Sequence, residues 1–147
     1  VDIGERALAF DLLLRTDYPS RGYMVRRGGA TTTWERWNSD VGDVSMNSFN
    51  HYAFGAVCSF LYRRVGGVEP IEPGFRRFRI APAFDPRIGS ASVSLDSASG
   101  PIRLKWGRDG SRIATRLEVP ANTTAELMLP GLRRICHPGR HELTSRG

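Results

Sequence analysis

The residues best suited to chemistry stand together as Trp34-Glu35-Arg36-Trp37. A carboxylate between two tryptophans is expected in an apolar setting, which raises its pKa, and an inward-facing Arg36 lowers it again. Carboxylates tuned in this way act as general acids or bases. Aromatic walls with a few polar groups are typical of small-molecule pockets, including those for sugar rings. From the residues alone, a surface Glu–Arg pair beside two core tryptophans remains the alternative.

A second group of polar residues, Asn47, Asn50 and His51, lies where an apolar helical pattern begins. Backbone N–H groups are free at a helix start, and a histidine there could bind a sugar hydroxyl or serve as a capping or core residue. Asp40 and Asp43 are the nearest other carboxylates, but they lie in a polar loop without flanking tryptophans. We interpret both as loop-capping or supporting groups. No spacing of His, Cys and Asp predicts a metal site.

The first half of the chain has helical periodicity. One helix is predicted from about Ile3 to Leu14, capped by Asp2, followed by a loop over 21–33. A second helix is predicted from Asn47 or Ser48 to Gly66-Gly67, and it is apolar on nearly all sides. Such a helix normally packs between others. Because the chain offers only one other helix, we expect these elements to belong to a larger helical domain.

The second half alternates apolar and polar residues with a period of two, which predicts antiparallel strands with one buried face. The predicted strands make a small β-sandwich and cover 75–80, 91–95, 102–106, 113–119, 124–129 and 141–144. We place the boundary between residues 1–68 and residues 69–147. Asn122-Thr123-Thr124 fits a glycosylation acceptor, and a turn between two strands explains it equally well.

The net charge of +6 comes from scattered arginine pairs, and Lys105 is the only lysine. Acidic residues separate these pairs, so we predict no nucleic-acid partner. No apolar run approaches the roughly 20 residues of a membrane span, and no secretory signal is visible. The two cysteines suggest no disulfide framework, and Cys58 is predicted to be a small core residue.

Several longer motifs occur in order along the chain. The sequence resembles the end of the catalytic domain of bacterial α-L-rhamnosidases over Tyr18–Met24, Gly29–Trp37 and Met46–Val57. It resembles the β-sandwich that follows that domain over Pro73–Phe75, Ile80–Pro82 and Val119–Ala125.

This resemblance implies the last helices of an (α/α)6 barrel, incomplete in this chain, followed by a small antiparallel β-sandwich. It implies hydrolysis of terminal α-L-rhamnosyl groups with inversion, with Glu35 as general base and His51 contacting the rhamnose. Trp34 and Trp37 would line or support the pocket, and Arg36 would orient or tune Glu35. The family's general acid lies upstream of the matched region, so this chain alone is expected to be inactive.

The partner implied is a rhamnose-containing glycoside or polysaccharide, and no cofactor is expected. Two alternatives stay open: a glycosidase with the same barrel and another sugar specificity, and a non-catalytic carbohydrate-binding module on the β half. Trp106 is the only obvious sugar platform for such a module. The sequence leaves open the aglycone, the linkage, the oligomeric state and the cellular location.

Overall fold

In the computed structural model, which describes residues 4–45 and 47–147, four short α-helices precede eight β-strands. The helices are α1 (Arg6–Leu14), α2 (Arg21–Gly28), α3 (Tyr52–Gly55) and α4 (Val57–Phe60). The chain forms two compact units that divide after Cys58. Helix α4 crosses this division. None of the helices described is long and apolar enough to cross a membrane.

Helix α1 buries little of its apolar surface within this chain. Phe10 is fully buried, whereas Leu8, Leu12 and Leu14 are exposed. Glu5 occupies the N-cap position without a side-chain cap hydrogen bond. The predicted cap at Asp2 and the predicted start at Ile3 lie outside the described residues.

Helix α2 was not predicted, because residues 21–33 were interpreted as a loop. Ser20 caps the helix by accepting a hydrogen bond from the Tyr23 N–H at 3.0 Å. Gly29 ends it in the left-handed conformation and donates to the carbonyls of Met24 and Val25. These are ordinary start and stop signals, and the abundance of Gly and Thr in the segment concealed them.

The second predicted helix begins later than expected, at Tyr52, since residues 47–51 are not helical. It continues through α4 into a π-helical turn, Leu61–Gly66. Gly67 ends this turn with a φ of 84°. A Cβ at Gly67 would stand 2.3 Å from the Pro82 nitrogen, so only glycine fits there. The prediction for Cys58 was wrong, since its thiol is exposed.

The β unit is a sandwich of two four-stranded sheets. One sheet has the order β1 (Val68–Pro70), β2 (Arg77–Ile80), β6 (Thr124–Leu129) and β7 (Leu132–Cys136). The other has the order β3 (Ser90–Ser97), β4 (Gly100–Asp109), β5 (Arg112–Val119) and β8 (Gly139–Arg146). All pairs are antiparallel except β2 with β6, which is parallel. A 3₁₀ turn, Pro73–Phe75, replaces the predicted start of β2.

The alternation in the sequence explains the core between the two sheets. In β4, for example, Ile102, Leu104 and Trp106 are buried, while Arg103 and Lys105 are exposed. The buried set comprises Val68, Phe78, Ile80, Val93, Ile102, Leu104, Trp106, Leu117, Val119, Ala125, Leu127, Leu129 and Cys136. Burial raises the pKa of the Cys136 thiol. The sequence therefore encodes one face of each strand as core.

Trp106 belongs to this core and is 1% exposed. Its ring meets Phe84 edge-on at 4.9 Å, and its Nε1–H donates to the Val65 carbonyl at 3.2 Å. The indole therefore joins the π-helical turn to the β4 strand. Ala121 and Asn122 form the turn between β5 and β6, where Asn122 has a φ of 59°, and Thr124 is the first residue of β6.

Candidate functional site

Two non-helical stretches of the helical unit, 33–35 and 48–51, lie side by side in opposite directions. The Glu35 N–H donates to the Ser48 carbonyl at 2.9 Å, and the His51 N–H donates to the Thr33 carbonyl at 2.6 Å. The Thr32 hydroxyl also donates to the Phe49 carbonyl. This pairing brings the stretch that carries Glu35 beside the stretch that carries His51, although Glu35 and Ser48 are 13 positions apart in the sequence and Thr33 and His51 are 18 apart.

The Glu35 side chain is exposed, which contradicts the apolar setting expected from its two tryptophan neighbours. Its Oε2 accepts a hydrogen bond from the Ser48 N–H at 2.9 Å. Within the described part of the chain, Oε1 has no hydrogen-bond partner. One oxygen therefore fixes the carboxylate, and the other can accept a hydrogen bond from a water or a substrate.

The tryptophans differ from one another in their surroundings. Trp34 is 5% exposed and meets Phe49 edge-on at a centroid distance of 5.3 Å. Trp37 is partly exposed, and the Arg21 guanidinium lies 6.0 Å from its ring centroid. The pKa of Arg21 lies below its ordinary value because of burial, and the neighbouring Cys58 opposes this shift only in part. Trp34 thus supports the segment from inside, whereas Trp37 presents part of its ring to the surface.

Asn47 closes the loop that follows Glu35. The Arg36 guanidinium donates to Asn47 Oδ1, and Asn47 Nδ2 donates to the carbonyls of Ser39 at 2.9 Å and Asp43 at 3.3 Å. Arg36 is thus held by Asn47, next to the Ser48 N–H that fixes Glu35. The sequence indicated that Asn47 lies near the site. Its hydrogen bonds across the loop were not predicted, because no sequence motif indicates them.

Ser39 adds a second closure to the same loop. It is fully buried, its hydroxyl donates to the Arg36 carbonyl, and the Arg36 N–H donates to that hydroxyl, both at 3.1 Å. Serine hydroxyls form such local hydrogen bonds to the backbone three residues earlier, and these bonds compete with regular secondary structure. This reciprocal bonding positions the Arg36 backbone independently of the Arg36 side chain.

The two aspartates differ from Glu35 in what they can do. Hydrogen bonds from Ser45 and the charge of Arg36 hold the pKa of Asp43 below its ordinary value. Asp43 therefore stays ionised near neutral pH and is unsuited to donate a proton. The Ser45 N–H bonds its Oδ1 at 2.9 Å, which supports the loop-capping interpretation. Asp40 lies exposed in the same loop.

His51 precedes α3 and acts as its cap. Its Nδ1 accepts a hydrogen bond from the Ala53 N–H at 3.2 Å, and its ring stacks on Tyr52 at 5.1 Å. A ring nitrogen that accepts a hydrogen bond carries no proton, so the neutral ring places its proton on Nε2. The ring is partly exposed. The capping alternative is therefore realised at Nδ1, and Nε2–H stays available as a donor.

Within residues 4–45 and 47–147, no group of three or more His, Cys, Asp or Glu side chains could hold a metal ion.

Comparison with known protein families gives two matches that together cover almost the whole chain. Residues 1–65 match the model of the bacterial alpha-L-rhamnosidase 6-hairpin glycosidase domain. Residues 67–144 match the model of the bacterial alpha-L-rhamnosidase C-terminal domain.

Two curated relatives are named alpha-L-rhamnosidase. The protein from Formosa agariphila is 37% identical over 134 residues, and the protein from Streptomyces avermitilis is 36% identical over 148 residues. These alignments cover 88% and 97% of this chain. The chain spans only 14% of the length of each relative.

Solved structures agree with these relatives. The Streptomyces avermitilis alpha-L-rhamnosidase complexed with L-rhamnose superposes with a TM-score of 0.88 at 31% identity, covering 99% of this chain and 16% of that one. The native enzyme from Aspergillus terreus gives a TM-score of 0.85 at 37% identity, covering 93% of this chain and 17% of that one. The fold is thus the end of a six-hairpin barrel followed by a β domain.

Proposed function

Since this chain belongs to the bacterial α-L-rhamnosidase family, we propose that it is the C-terminal part of a longer glycosidase that removes terminal α-L-rhamnosyl groups with inversion. Glu35 is the general base in this proposal. The observation that carries the assignment is the Glu35 carboxylate itself, exposed and fixed at Oε2 by the Ser48 N–H while Oε1 stays open.

An inverting glycosidase uses two carboxyl groups about 6.5–9.5 Å apart, with a water between one of them and the sugar. Glu35 accepts a proton from that water through Oε1, and the water oxygen forms a new bond to the anomeric carbon. The bond from that carbon to the leaving oxygen breaks, and a protonated carboxyl group gives the leaving oxygen its proton. Asp43 stays ionised and cannot supply that proton. As the resemblance to the family implies, we place the general acid in the upstream barrel, and we expect this chain alone to be inactive.

The experiment compares the full-length enzyme with its Glu35→Gln variant. The amide oxygen still accepts from the Ser48 N–H, so the loop keeps its structure, but it no longer takes a proton. We expect the rate of hydrolysis of an aryl α-L-rhamnoside to fall by about 10²–10⁴-fold, with an unchanged circular dichroism spectrum. Asp40→Asn is the matched control and keeps its activity. Near-wild-type turnover in Glu35→Gln would falsify the assignment.

Inversion of the anomeric configuration is tested by identifying the first anomer of rhamnose that is released. NMR spectra recorded during the first turnovers should contain β-L-rhamnose before mutarotation produces the α anomer. If the α anomer forms first, the enzyme retains configuration, and Glu35 would need a different role.

The two ring nitrogens of His51 have different roles in this proposal: Nδ1 caps α3, and Nε2 contacts the sugar. In His51→Asn, the shorter amide oxygen can still cap α3 in place of Nδ1, but no group reaches as far as Nε2. Loss of one hydrogen bond to the sugar is worth about 1–2 kcal/mol, which predicts a KM about ten-fold higher. In His51→Gln, the side-chain amide extends to the Nε2 position, so we expect KM to stay closer to that of the wild type. Equal KM values for both variants would count against a sugar contact at Nε2.

A glycosidase with the same barrel and another sugar specificity is tested by presenting the full-length enzyme with a panel of aryl glycosides. For the alternative of a carbohydrate-binding module on the β half, Trp106 cannot serve as the sugar platform, because it is buried in the core.

A further inference from the structure

The outer face of the sheet β3-β4-β5-β8 forms a groove of about 420 Å³. Eight of its lining residues alternate with the core-facing positions and come from all four strands in two cross-strand rows, and Val93, Leu104, Leu117 and His141 lie between these rows. We call this surface the basic face and define it by those two rows.

The first row consists of Ser92, Lys105, Arg116 and Glu142, which are successive partners across the sheet. Arg116 pairs with Glu142 at 3.1 Å. Lys105 stands directly opposite Arg116, and like charges at opposed positions destabilise a sheet. Within the described residues, Lys105 has no ion-pair partner, and its other neighbour, Ser92, offers only a hydroxyl. The row therefore contains one cation that forms no ion pair with the described residues.

The second row consists of Ser94, Arg103, Glu118 and Arg140. Here one carboxylate lies between two guanidiniums, with Glu118 at 3.2 Å from Arg103 and at 3.9 Å from Arg140. Together the rows hold four cations against two carboxylates. The basic face thus has an excess of two positive charges.

The composition of the basic face narrows the kind of ligand. Its lining contains no Phe, Tyr or Trp, whereas single-stranded nucleic acids are usually held on aromatic platforms. It offers two serine hydroxyls and several guanidinium groups, which suit a ligand with many hydroxyls. A small excess charge matches a ligand with widely spaced carboxylates, and guanidiniums bind carboxylates through paired hydrogen bonds.

We propose that the basic face binds a polysaccharide that carries uronic acids, with one carboxylate docking between Lys105 and Arg116 beside Ser92. The choice of a glycan rests on the proposed function, since a rhamnosidase acts on glycans. The inference that this ligand is negatively charged depends only on the charges of the basic face. Such a surface would hold an acidic polymer near the enzyme without taking part in hydrolysis.

The test measures binding of a short oligomer of galacturonic acid to the full-length enzyme by isothermal titration calorimetry. This oligomer contains no rhamnose, so its binding is independent of rhamnosidase activity. We expect it to bind, and its fully methyl-esterified form, which has the same sugars without the charges, not to bind. Affinity should fall when the salt concentration rises from about 20 to about 200 mM, because salt screens exposed charges.

Lys105→Gln should weaken binding of the acidic oligomer about two- to five-fold, as expected for one exposed charge. Arg133→Gln removes one positive charge from the exposed side of β7 in the other sheet and should leave the affinity unchanged. Rhamnoside hydrolysis should be unchanged in both variants. A failure of the proposed function would show in hydrolysis, and a failure of the present proposal would show only in binding.

A footprint locates the ligand without any substitution. Acetylation of Lys105, followed by mass spectrometry of the peptide that contains it, should slow when the acidic oligomer is present and not when its methyl ester is present. The proposal is overturned if the acid and the ester bind equally, if neither binds, if both variants lose the same affinity, or if Lys105 is not protected. Tighter binding of oligothymidylate or of a sulfated galactan would assign the face to those ligands instead.

Discussion

Each of the two units of this chain is stabilised by a different kind of interaction. The β unit has a contiguous core in which Phe78, Ile80 and Ile102 are fully buried. The helical unit buries Phe10, Met24 and Trp34, and it leaves large apolar side chains exposed at Leu8, Leu12, Leu14, Val25, Phe49 and Tyr52. The loop after Glu35 in this unit is organised by hydrogen bonds.

This difference indicates that the two units contribute differently to stability and to catalysis. Exposed apolar groups at this density are typical of surfaces that bind another element, in agreement with a helical unit that completes its packing within a larger barrel. The β unit carries its own hydrophobic core. We therefore expect substitutions in the β unit to change stability first, and substitutions in the loop after Glu35 to change catalysis first.

The largest effect is expected from Trp106→Ala. The change removes a buried indole, its edge contact with Phe84 and its hydrogen bond to the Val65 carbonyl. Substitutions of this kind cost about 3–5 kcal/mol, which should appear as a lower midpoint of urea unfolding. Turnover per folded enzyme molecule should stay unchanged. If turnover fell while stability held, the division between the units would be wrong.

Trp106→Phe serves as the control for this change. It keeps an aromatic ring and most of the apolar volume but cannot donate to Val65. We expect a smaller loss of about 1–2 kcal/mol, so that the two variants separate the packing contribution from that of the hydrogen bond.

A smaller effect on stability, with a larger effect on catalysis, is expected from Asn47→Ala. The change removes the acceptor of the Arg36 guanidinium and the donor to the Ser39 and Asp43 carbonyls. We expect a loss of about 1 kcal/mol in stability. The kcat should fall about ten-fold with little change in KM, because the Ser48 N–H that fixes Glu35 is the next group along the chain.

Asn38→Ala is the matched control within the same loop. In the described structure Asn38 contributes its backbone carbonyl, which accepts from the Val41 N–H at 3.0 Å, and that bond survives the change. An equal loss of kcat in both variants would mean that the loop tolerates no substitution, rather than that Asn47 positions Glu35.

The sequence predicted the β unit better than the site, for a physical reason. Alternation reveals strands that bury one face, which is why β2 to β6 and β8 were predicted, with β2 beginning two residues later than expected. It missed β1, which is three residues long and ends in Pro70, and β7, where Arg133 and Arg134 interrupt the pattern. Each of these strands depends on pairing with a neighbour.

The site could not be predicted in the same way, because its geometry comes from pairing between distant stretches. Nothing near Glu35 indicates that the Ser48 N–H holds its carboxylate, or that Arg36 turns to Asn47. The two tryptophans suggested a buried carboxylate, but only Trp34 is buried and Glu35 is exposed. The roles of Glu35 and His51 come from the resemblance to the family, and they stay predictions.

The smallest effect is expected from Glu69→Gln, which tests charge within the β unit. Glu69 receives a hydrogen bond from Arg63, and Arg64 and Arg79 lie within 4 Å, so its pKa is held below the ordinary value of 4.5. A lowered pKa in the folded state stabilises the fold above the ordinary pKa, and this contribution is lost as the pH falls through the lowered value. We expect Glu69→Gln to cost about 0.5–1 kcal/mol near neutral pH, after allowing for solvent screening. The difference from the wild type should vanish in strong acid.

The control is Glu142→Gln, which removes a charge from an ion pair whose side chains are 73% and 76% exposed. It should change stability little at any pH. A cost of several kcal/mol for Glu69→Gln would mean that ion pairs, and not the apolar core alone, hold the β unit together.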